Sequence, residues 1–495
     1  MEKTSQRTPK KPSPLVQKRK TYPPDLVRLL QLAYNDIEHH GINPESNFTE
    51  GWMCPIYKKK DKTDIANYRP ITVLNADYKT FTKALTIKLA PTALKIIHPD
   101  QAGFLKGRRI DDHTELIKLM IRWCKAEDEN GLLVLLDQEK AYDKITHKFL
   151  NRTLQAFEIP DSFRNTIMGL YKNAFTTVII NGVKSEAFKI TRGVRQGDPL
   201  SCLLFNLAIE SLTSMLRNSS LEGFKVHEEI DRVITTLFAD DTTVYLSKND
   251  SFNELESTLN KWCSASGAKF NVEKTEIIPV GHPDYRANLI RDRIIPNSQN
   301  EKLPDGIHIA KDGEPIRALG AFVGNKVDNA HVWAPTIETL ENKVNYWLKS
   351  NPSLEGRSYL TKLEPGGRTQ YRAMVQGMPK QVTKRINQII NQIIWNGRIP
   401  GVNKERMSLP YNQGGKKTLD IEIRNKAIAL MRLKTYLTDP PNRPTWTYVA
   451  DELIYHDIPA SQRIGSKEIA VNMFLQTWSP RKQSNRSTLP LSLQK

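Results

Sequence analysis

Val233-Ile234-Thr235-Thr236-Leu237-Phe238-Ala239-Asp240-Asp241-Thr242-Thr243-Val244-Tyr245-Leu246 sets two adjacent carboxylates between two apolar arms. Both arms are β-branched and aromatic and read as strands, so the acids fall at the turn of a short hairpin. Aspartate is a common turn residue because its side chain bonds the nearby backbone, and taken alone the pair reads as a solvated turn. Two like charges side by side also repel, and each favours a proton unless a cation holds them. A hard divalent ion that takes oxygen ligands, such as Mg²⁺, answers that need.

Upstream, Gly131-Leu132-Leu133-Val134-Leu135-Leu136 is a continuous apolar run ending at Asp137. It reads as a buried strand whose last acid emerges where the strand leaves the core. Placed on neighbouring strand ends, Asp137, Asp240 and Asp241 would hold two Mg²⁺ ions about 3.5–4 Å apart, the arrangement that serves in-line phosphoryl transfer. One ion would lower the pKa of an attacking hydroxyl and the other would stabilise a leaving pyrophosphate. The adjacency of the two strands is an inference at this point.

Asp137-Gln138-Glu139-Lys140-Ala141-Tyr142-Asp143, Arg192-Gly193-Val194-Arg195-Gln196-Gly197-Asp198-Pro199-Leu200-Ser201 and Phe238-Ala239-Asp240-Asp241 resemble, in that order, three signature motifs of reverse transcriptases. Asn67-Tyr68-Arg69-Pro70-Ile71 and Asp100-Gln101-Ala102-Gly103-Phe104 are similar to the fingers motifs of the non-LTR (LINE-type) retrotransposon branch. The resemblance runs from about Gly51 to Ala427, and several separate motifs in family order are a specific signal.

The resemblance implies an α+β right-hand polymerase fold with fingers, an antiparallel-sheet palm and a helical thumb. It implies an RNA-directed DNA polymerase that uses dNTPs to copy an RNA template from a primer 3′-hydroxyl, with two Mg²⁺ held by Asp137, Asp240 and Asp241. By the same resemblance Arg69, assisted by Lys62, neutralises the nucleotide triphosphate; a guanidinium grips phosphate oxygens in a bidentate fork. Tyr142 would lie under the nucleotide sugar and exclude a 2′-hydroxyl, whereas an RNA polymerase needs a polar group there. Gln196 and Gly197 would meet the sugar and the template base pair. By the resemblance Lys274 matches the position credited with protonating the leaving pyrophosphate, a physically sensible general-acid role, whereas read from the residues alone it is an ordinary surface lysine. Ile316-Arg317-Ala318-Leu319-Gly320-Ala321-Phe322 resembles the hairpin that grips the primer end, and Asn412-Gln413-Gly414-Gly415 with Leu419-Asp420-Ile421 resembles a further family block.

Across 495 residues, 72 Lys and Arg oppose 54 Asp and Glu, a net charge of +18. Such an excess favours a polyanionic partner, which the resemblance implies is an RNA template with a DNA primer or their hybrid. Cys54, Cys124, Cys202 and Cys263 have no zinc spacing and point to reduced thiols in the nucleus or cytoplasm. No apolar run approaches the ~20 residues of a membrane helix. Oligomeric state is not legible.

The expected organisation is a basic arm over residues 1–22, fingers over 23–130, palm with part of the fingers and the primer-grip hairpin over 131–330, thumb over 331–437, and C-terminal helices with a disordered tail over 438–495. The helix from Ala76 is expected to break or kink at Pro91. Residues 282–304 read as a polar, irregular insertion, and the stretch after Thr438 as helical remnants followed by disorder. In the thumb, Lys380, Lys384, Arg385 and Arg398 would face a duplex backbone. About fifty residues precede the fingers motifs and no zinc spacing follows the thumb, so a polymerase core without the endonuclease usual in the family is expected, an element fragment or trimmed gene product. The rival from another class is a catalytically inactive nucleic-acid-binding remnant that keeps the polymerase fold.

Overall fold

The computed structural model describes residues 23–296, 300–463, 465–472 and 475. The basic arm over 1–22 and the Ser-, Arg- and Gln-rich end of the tail lie outside the described residues. The chain divides into two compact units. One holds the residues up to Lys88 with Asn151–Ser201, and the other holds Leu89–Leu150 with the residues from Cys202 onward.

In the first unit, helix α1 (Pro24–His40) opens on a proline, whose fixed φ suits the first helical position, and closes at Gly41. Strands β1 (Gly51–Tyr57) and β2 (Tyr68–Leu74) form an antiparallel hairpin with Ile56 opposite Arg69. Strand β4 (Phe175–Ile180) follows helix α6 (Asp161–Lys172) and runs parallel to β1. It turns at Asn181-Gly182, both at positive φ, into β5 (Val183–Lys184), as an Asn-Gly pair favours. β6 (Phe188–Lys189) pairs back onto the start of β4.

Helix α2 runs unbroken from Ala76 to Ile96 with Pro91 inside it, so the expected break at Pro91 does not occur. The carbonyl that proline deprives of a partner is that of Ile87, an exposed residue, and water can satisfy it there.

In the second unit a five-stranded sheet has the order β10-β9-β3-β8-β7. At its centre β3 (Gly131–Leu136) pairs antiparallel with β8 (Asp241–Ser247) and with β9 (Glu276–Val280). β7 (Thr235–Phe238) borders β8 antiparallel, and the two-residue β10 (His308–Ile309) borders β9 parallel. The apolar run of β3 follows from this position, because neighbours on both sides leave Leu132, Leu133 and Val134 with no solvent contact to speak of. Helices α4 (Ala141–Lys144), α5 (His147–Ala156), α7 (Ser201–Arg217) and α8 (Phe252–Ser266) accompany the sheet in sequence. Leu133, Tyr245, Ile278 and Val280 share one core cluster with Leu116, Leu119, Met120 and Trp123 of α3 (Ile110–Ala126).

Residues 282–304 are not an irregular insertion throughout. They carry helix α9 (Pro283–Asp292), capped by the His282 ring accepting from the Asp284 amide, with Pro283 at the first position. The helix buries Arg286, whose guanidinium forks onto both oxygens of Asp312 at 3.0 and 2.8 Å. That desolvated, paired cation fixes the segment, which is why its polarity misleads.

The hairpin β11 (Ile316–Ala318) and β12 (Ala321–Val323) precedes a helical region of α10 (Ala334–Leu348), α11 (Leu354–Thr361), α12 (Gly367–Gln376), α13 (Lys380–Trp395), α14 (Lys404–Ser408) and α15 (Ile421–Tyr436). A π-helical turn over Lys362–Gly366 joins α11 to α12 and contains Pro365. Such a turn accommodates a residue that cannot donate its amide.

The stretch after Thr438 is more than a helical remnant. Helix α16 (Thr445–Asp457) inserts Trp446, Val449, Ala450 and Leu453 into the same cluster as α3. Trp446 Nε1 donates to Asp112 Oδ1 at 2.8 Å, and burial pushes the Asp112 carboxyl up to about 6. Burial of each large side chain contributes about 1.5–3 kcal/mol, so α16 is an integral part of this core. A five-residue helix, α17 (Lys467–Val471), follows.

Candidate active site

The carboxylate turn is a two-residue loop. Phe238 pairs with Asp241 across the hairpin, leaving Ala239 and Asp240 at its tip. Ala239 has φ +57°, a left-handed conformation that costs a residue with a Cβ roughly 1–2 kcal/mol. The β3–β8 register pairs Leu136 with Thr242, so the next position outward sets Asp137 beside Asp241. Asp137 and Asp241 therefore lie beside one another on the ends of two paired strands, with Asp240 next to Asp241 at the loop tip, although Asp137 is about a hundred residues from the other two.

The side chain of Asp137 is half-exposed, and its Oδ2 lies 3.2 Å from Nζ of Lys274. Lys274 closes a 3-10 turn (Val272–Lys274) capped by Asn271, whose amide donates to the Asp137 carbonyl at 2.8 Å. Among the described residues no three His, Cys, Asp or Glu side chains are gathered as a metal-holding group. The register aligns the backbones of Asp137 and Asp241, while the Asp137 carboxylate is turned to an ammonium. The adjacent Asp240 and Asp241 carboxylates are the kind of hard oxygen donors that a divalent ion takes.

Tyr142, on α4, stacks on Phe205 of α7 with ring centroids 4.6 Å apart and planes 11° apart. Burial raises its phenol well above the ordinary value, with Cys202 and Asp240 close enough to add to the shift. The ring is thus a rigid wall on the carboxylate side of the unit.

The β11–β12 hairpin is held from α12. Tyr371 donates its hydroxyl to the Leu319 carbonyl at 2.5 Å, and Gln376 accepts from the Phe322 amide at 2.7 Å while donating to the Phe322 carbonyl at 3.0 Å. Neither residue belongs to a motif quoted above, and sequence reading missed both. Of the basic residues assigned to α13 and its end, Lys380, Lys384 and Arg398 are exposed. Arg385 is exposed as well, and its guanidinium contacts Glu341 Oε1 of α10 at 2.8 and 2.6 Å, a surface ion pair between the two helices.

In the first unit, Arg69 is exposed on β2. Lys62 is exposed in the β1–β2 loop, with Nζ 5.6 Å from the Tyr57 ring centroid. Thr72 of β2 donates its amide to the Gln196 carbonyl at 2.8 Å, so one backbone bond joins the Arg69 strand to the Gln196-Gly197 loop. Beneath the loop, buried Asp198 accepts from the Tyr78 hydroxyl at 3.2 Å, and Arg195 donates to the Phe175 carbonyl at 3.0 Å. Burial raises the Asp198 carboxyl despite these bonds.

Gly197 sits at φ +118°, and a Cβ there would lie 2.3 Å from the Thr72 carbonyl oxygen. Gly197→Ala is therefore expected to destabilise the first unit by about 3 kcal/mol, since strain and a backbone clash add. A lowered denaturant midpoint measures this, and an unchanged midpoint counts against the close approach.

Comparison with known proteins supplies relatives and a family for the chain. The chain is 26% identical over 398 residues to the transposon TX1 uncharacterized 149 kDa protein of Xenopus laevis, covering 79% of this chain and 29% of that protein. It is 28% identical over 225 residues to the retrovirus-related Pol polyprotein from the type-2 retrotransposable element R2DM of Drosophila melanogaster, covering 45% of this chain and 21% of that one. The chain thus spans less than a third of the length of these relatives. Among solved structures, apo telomerase from Candida tropicalis superposes with a TM-score of 0.39 at 12% identity, covering 86% of this chain and 74% of that one, and no inference rests on it. Residues 57–320 match the family described as reverse transcriptase (RNA-dependent DNA polymerase). That span contains every strand of the carboxylate sheet, the Gln196-Gly197 loop and the Arg69 strand, and the chain belongs to the reverse transcriptase family, on its non-LTR retrotransposon branch.

Proposed function

We propose that this chain is an RNA-directed DNA polymerase of a non-LTR retrotransposon, extending a primer 3′-hydroxyl along an RNA template with dNTPs. The observation that carries the reading is the sheet register that sets Asp137 beside Asp241, with Asp240 adjoining at the hairpin tip. Family members use divalent metal ions, and we propose two Mg²⁺ held by these three carboxylates. When bound, such ions supply Lewis-acid stabilisation of the reacting phosphate and a lowered pKa for the attacking hydroxyl.

The chain's own residues do the rest. Asp137 would be one of the carboxylates that hold the ion, and Lys274, whose ammonium lies 3.2 Å from its Oδ2, would donate a proton to the leaving pyrophosphate. Arg69 and Lys62 offer the exposed cations suited to a triphosphate. Tyr142, braced by Phe205, stands against a 2′-hydroxyl. The Gln196-Gly197 loop, seated against Thr72 of β2, is the segment we assign to the sugar and the template base pair. Lys380, Lys384 and Arg398 serve as phosphate contacts for the hybrid. We assign the chain to the nucleus and cytoplasm, where its nucleic-acid partners are found. No described helix is long and apolar enough to cross a membrane.

The second reading, a nucleic-acid-binding remnant without activity, draws on the Asp137–Lys274 pair occupying the carboxylate edge. Primer extension with purified protein on RNA and DNA templates, each divalent metal supplied in turn, separates the two. Metal-dependent dNTP incorporation on RNA is expected, and hybrid binding with no incorporation under any metal would leave the remnant.

A further inference from the structure

Two peptide planes flank Ala239, and both are held by one side chain. Gln101 has no solvent exposure. Its Oε1 accepts from the Ala239 amide at 2.8 Å, and its Nε2 donates to the Ala239 carbonyl at 3.2 Å. The first bond fixes the plane between Phe238 and Ala239, and the second the plane between Ala239 and Asp240. The orientation of those two planes about one Cα is its φ and ψ. A single primary amide therefore pins the left-handed residue that precedes Asp240, against the conformational preference of alanine. The task needs an acceptor and a donor on one planar head, which a carboxylate or hydroxyl does not supply.

The amide is itself anchored on every side. Oε1 also accepts from the Gly103 amide at 2.8 Å, and a Cβ on Gly103 would lie 2.4 Å from the Ala239 nitrogen. Asn206 Nδ2 donates to the Gly103 carbonyl at 2.5 Å. The backbone on either side of Gln101 pairs with β7: the Leu237 amide donates to Asp100, and the Ala102 amide donates to Leu237. Arg108 gathers the carbonyls of Leu94, Ile97, His98 and Gln101.

We propose that Gln101 is the positioning residue of the carboxylate turn, fixing Ala239 so that Asp240 and Asp241 are presented together to a divalent cation. This rests on the functional reading above and names the part of the molecule that makes the acidic pair usable. Gln101 touches neither substrate nor metal in this role, which it fulfils through the turn.

The test compares the parent with Gln101→Met, which keeps length and loses both polar atoms, and with Gln101→Glu, which keeps the acceptor and loses the donor. Single-turnover primer extension is measured at saturating hybrid and across a metal series, beside Mn²⁺ binding by electron paramagnetic resonance. For Gln101→Met we expect a rate lower by about a hundredfold, the scale of an ångström-sized misplacement. Mn²⁺ affinity should weaken by about tenfold while hybrid affinity stays unchanged. Gln101→Glu should lose about tenfold in rate, because one plane of the two is released. A folded variant with parental rate and parental Mn²⁺ affinity overturns the proposal, as does a loss of hybrid binding in parallel with rate. Should Gln101→Met fail to give a melting transition, Gln101→Glu decides on the same readouts. If the parent itself extends no primer, the functional reading falls, and the Mn²⁺ affinities of parent and variant still decide the clamp.

Discussion

Asp240→Asn is expected to lower single-nucleotide incorporation on a primed RNA template by about a thousandfold or more, ~4 kcal/mol of barrier. Hybrid affinity should stay at the parental level. Asparagine keeps the shape of the residue at the hairpin tip and the two-residue loop that Phe238 and Asp241 close. It removes one of two adjacent negative charges, and those charges are what a hard cation needs. The backbone carbonyl of Asp240, which accepts from the Thr242 hydroxyl at 3.2 Å, is untouched, so the turn should persist. Pre-steady-state extension and a hybrid-binding titration on the same preparation give both quantities. Parental extension by this variant would remove the carboxylates from the chemistry altogether.

The same hairpin marks where sequence reading succeeds. Alternation of β-branched and aromatic residues defined β7 and β8, and an apolar run defined β3, because strand periodicity is a local property. Their adjacency is not local; it follows from the pairing of Leu136 with Thr242. Helices were expected after Thr438, but the signal that α16 packs into the core was present and passed over. Trp446, Val449, Ala450 and Leu453 have the i, i+3, i+4, i+7 spacing of a buried helical face, which outweighs the prolines before them. Helix α9 had its signal in His282-Pro283-Asp284, a cap, a first-turn proline and a first-turn acid.

Other features could not be read. Pro91 stays inside a helix because the carbonyl it orphans belongs to an exposed residue, and exposure is a tertiary fact. The surface pair of Arg385 with Glu341 joins two helices and could not be read from either residue alone. Gln101 lay inside a quoted motif, yet its role needed the position of Ala239, which is 138 residues away. The pattern is physical: elements follow from neighbours in sequence, and sites follow from neighbours in space.

Tyr142→Ala is expected to admit ribonucleotides, reducing the preference for dNTP over rNTP by about a hundredfold, ~2.7 kcal/mol. The ring resists a 2′-hydroxyl only if it cannot move aside, and the structure gives the reason it cannot. It lies nearly parallel to Phe205, at 11°, and Phe205 is fully buried in α7. Alanine leaves a space the size of the ring, open to a larger sugar. The cost in stability should be modest, since a stacked aromatic pair contributes about 0.5–1.5 kcal/mol beyond its buried area. Tyr142→Phe is the internal comparison: it keeps the stack and removes only a hydroxyl beside the Cys202 thiol, so discrimination should remain parental. Steady-state kcat/KM for matched dNTP and rNTP pairs measures the ratio in all three proteins. If alanine leaves that ratio unchanged while phenylalanine alters it, exclusion by the ring is wrong and the hydroxyl carries the selection.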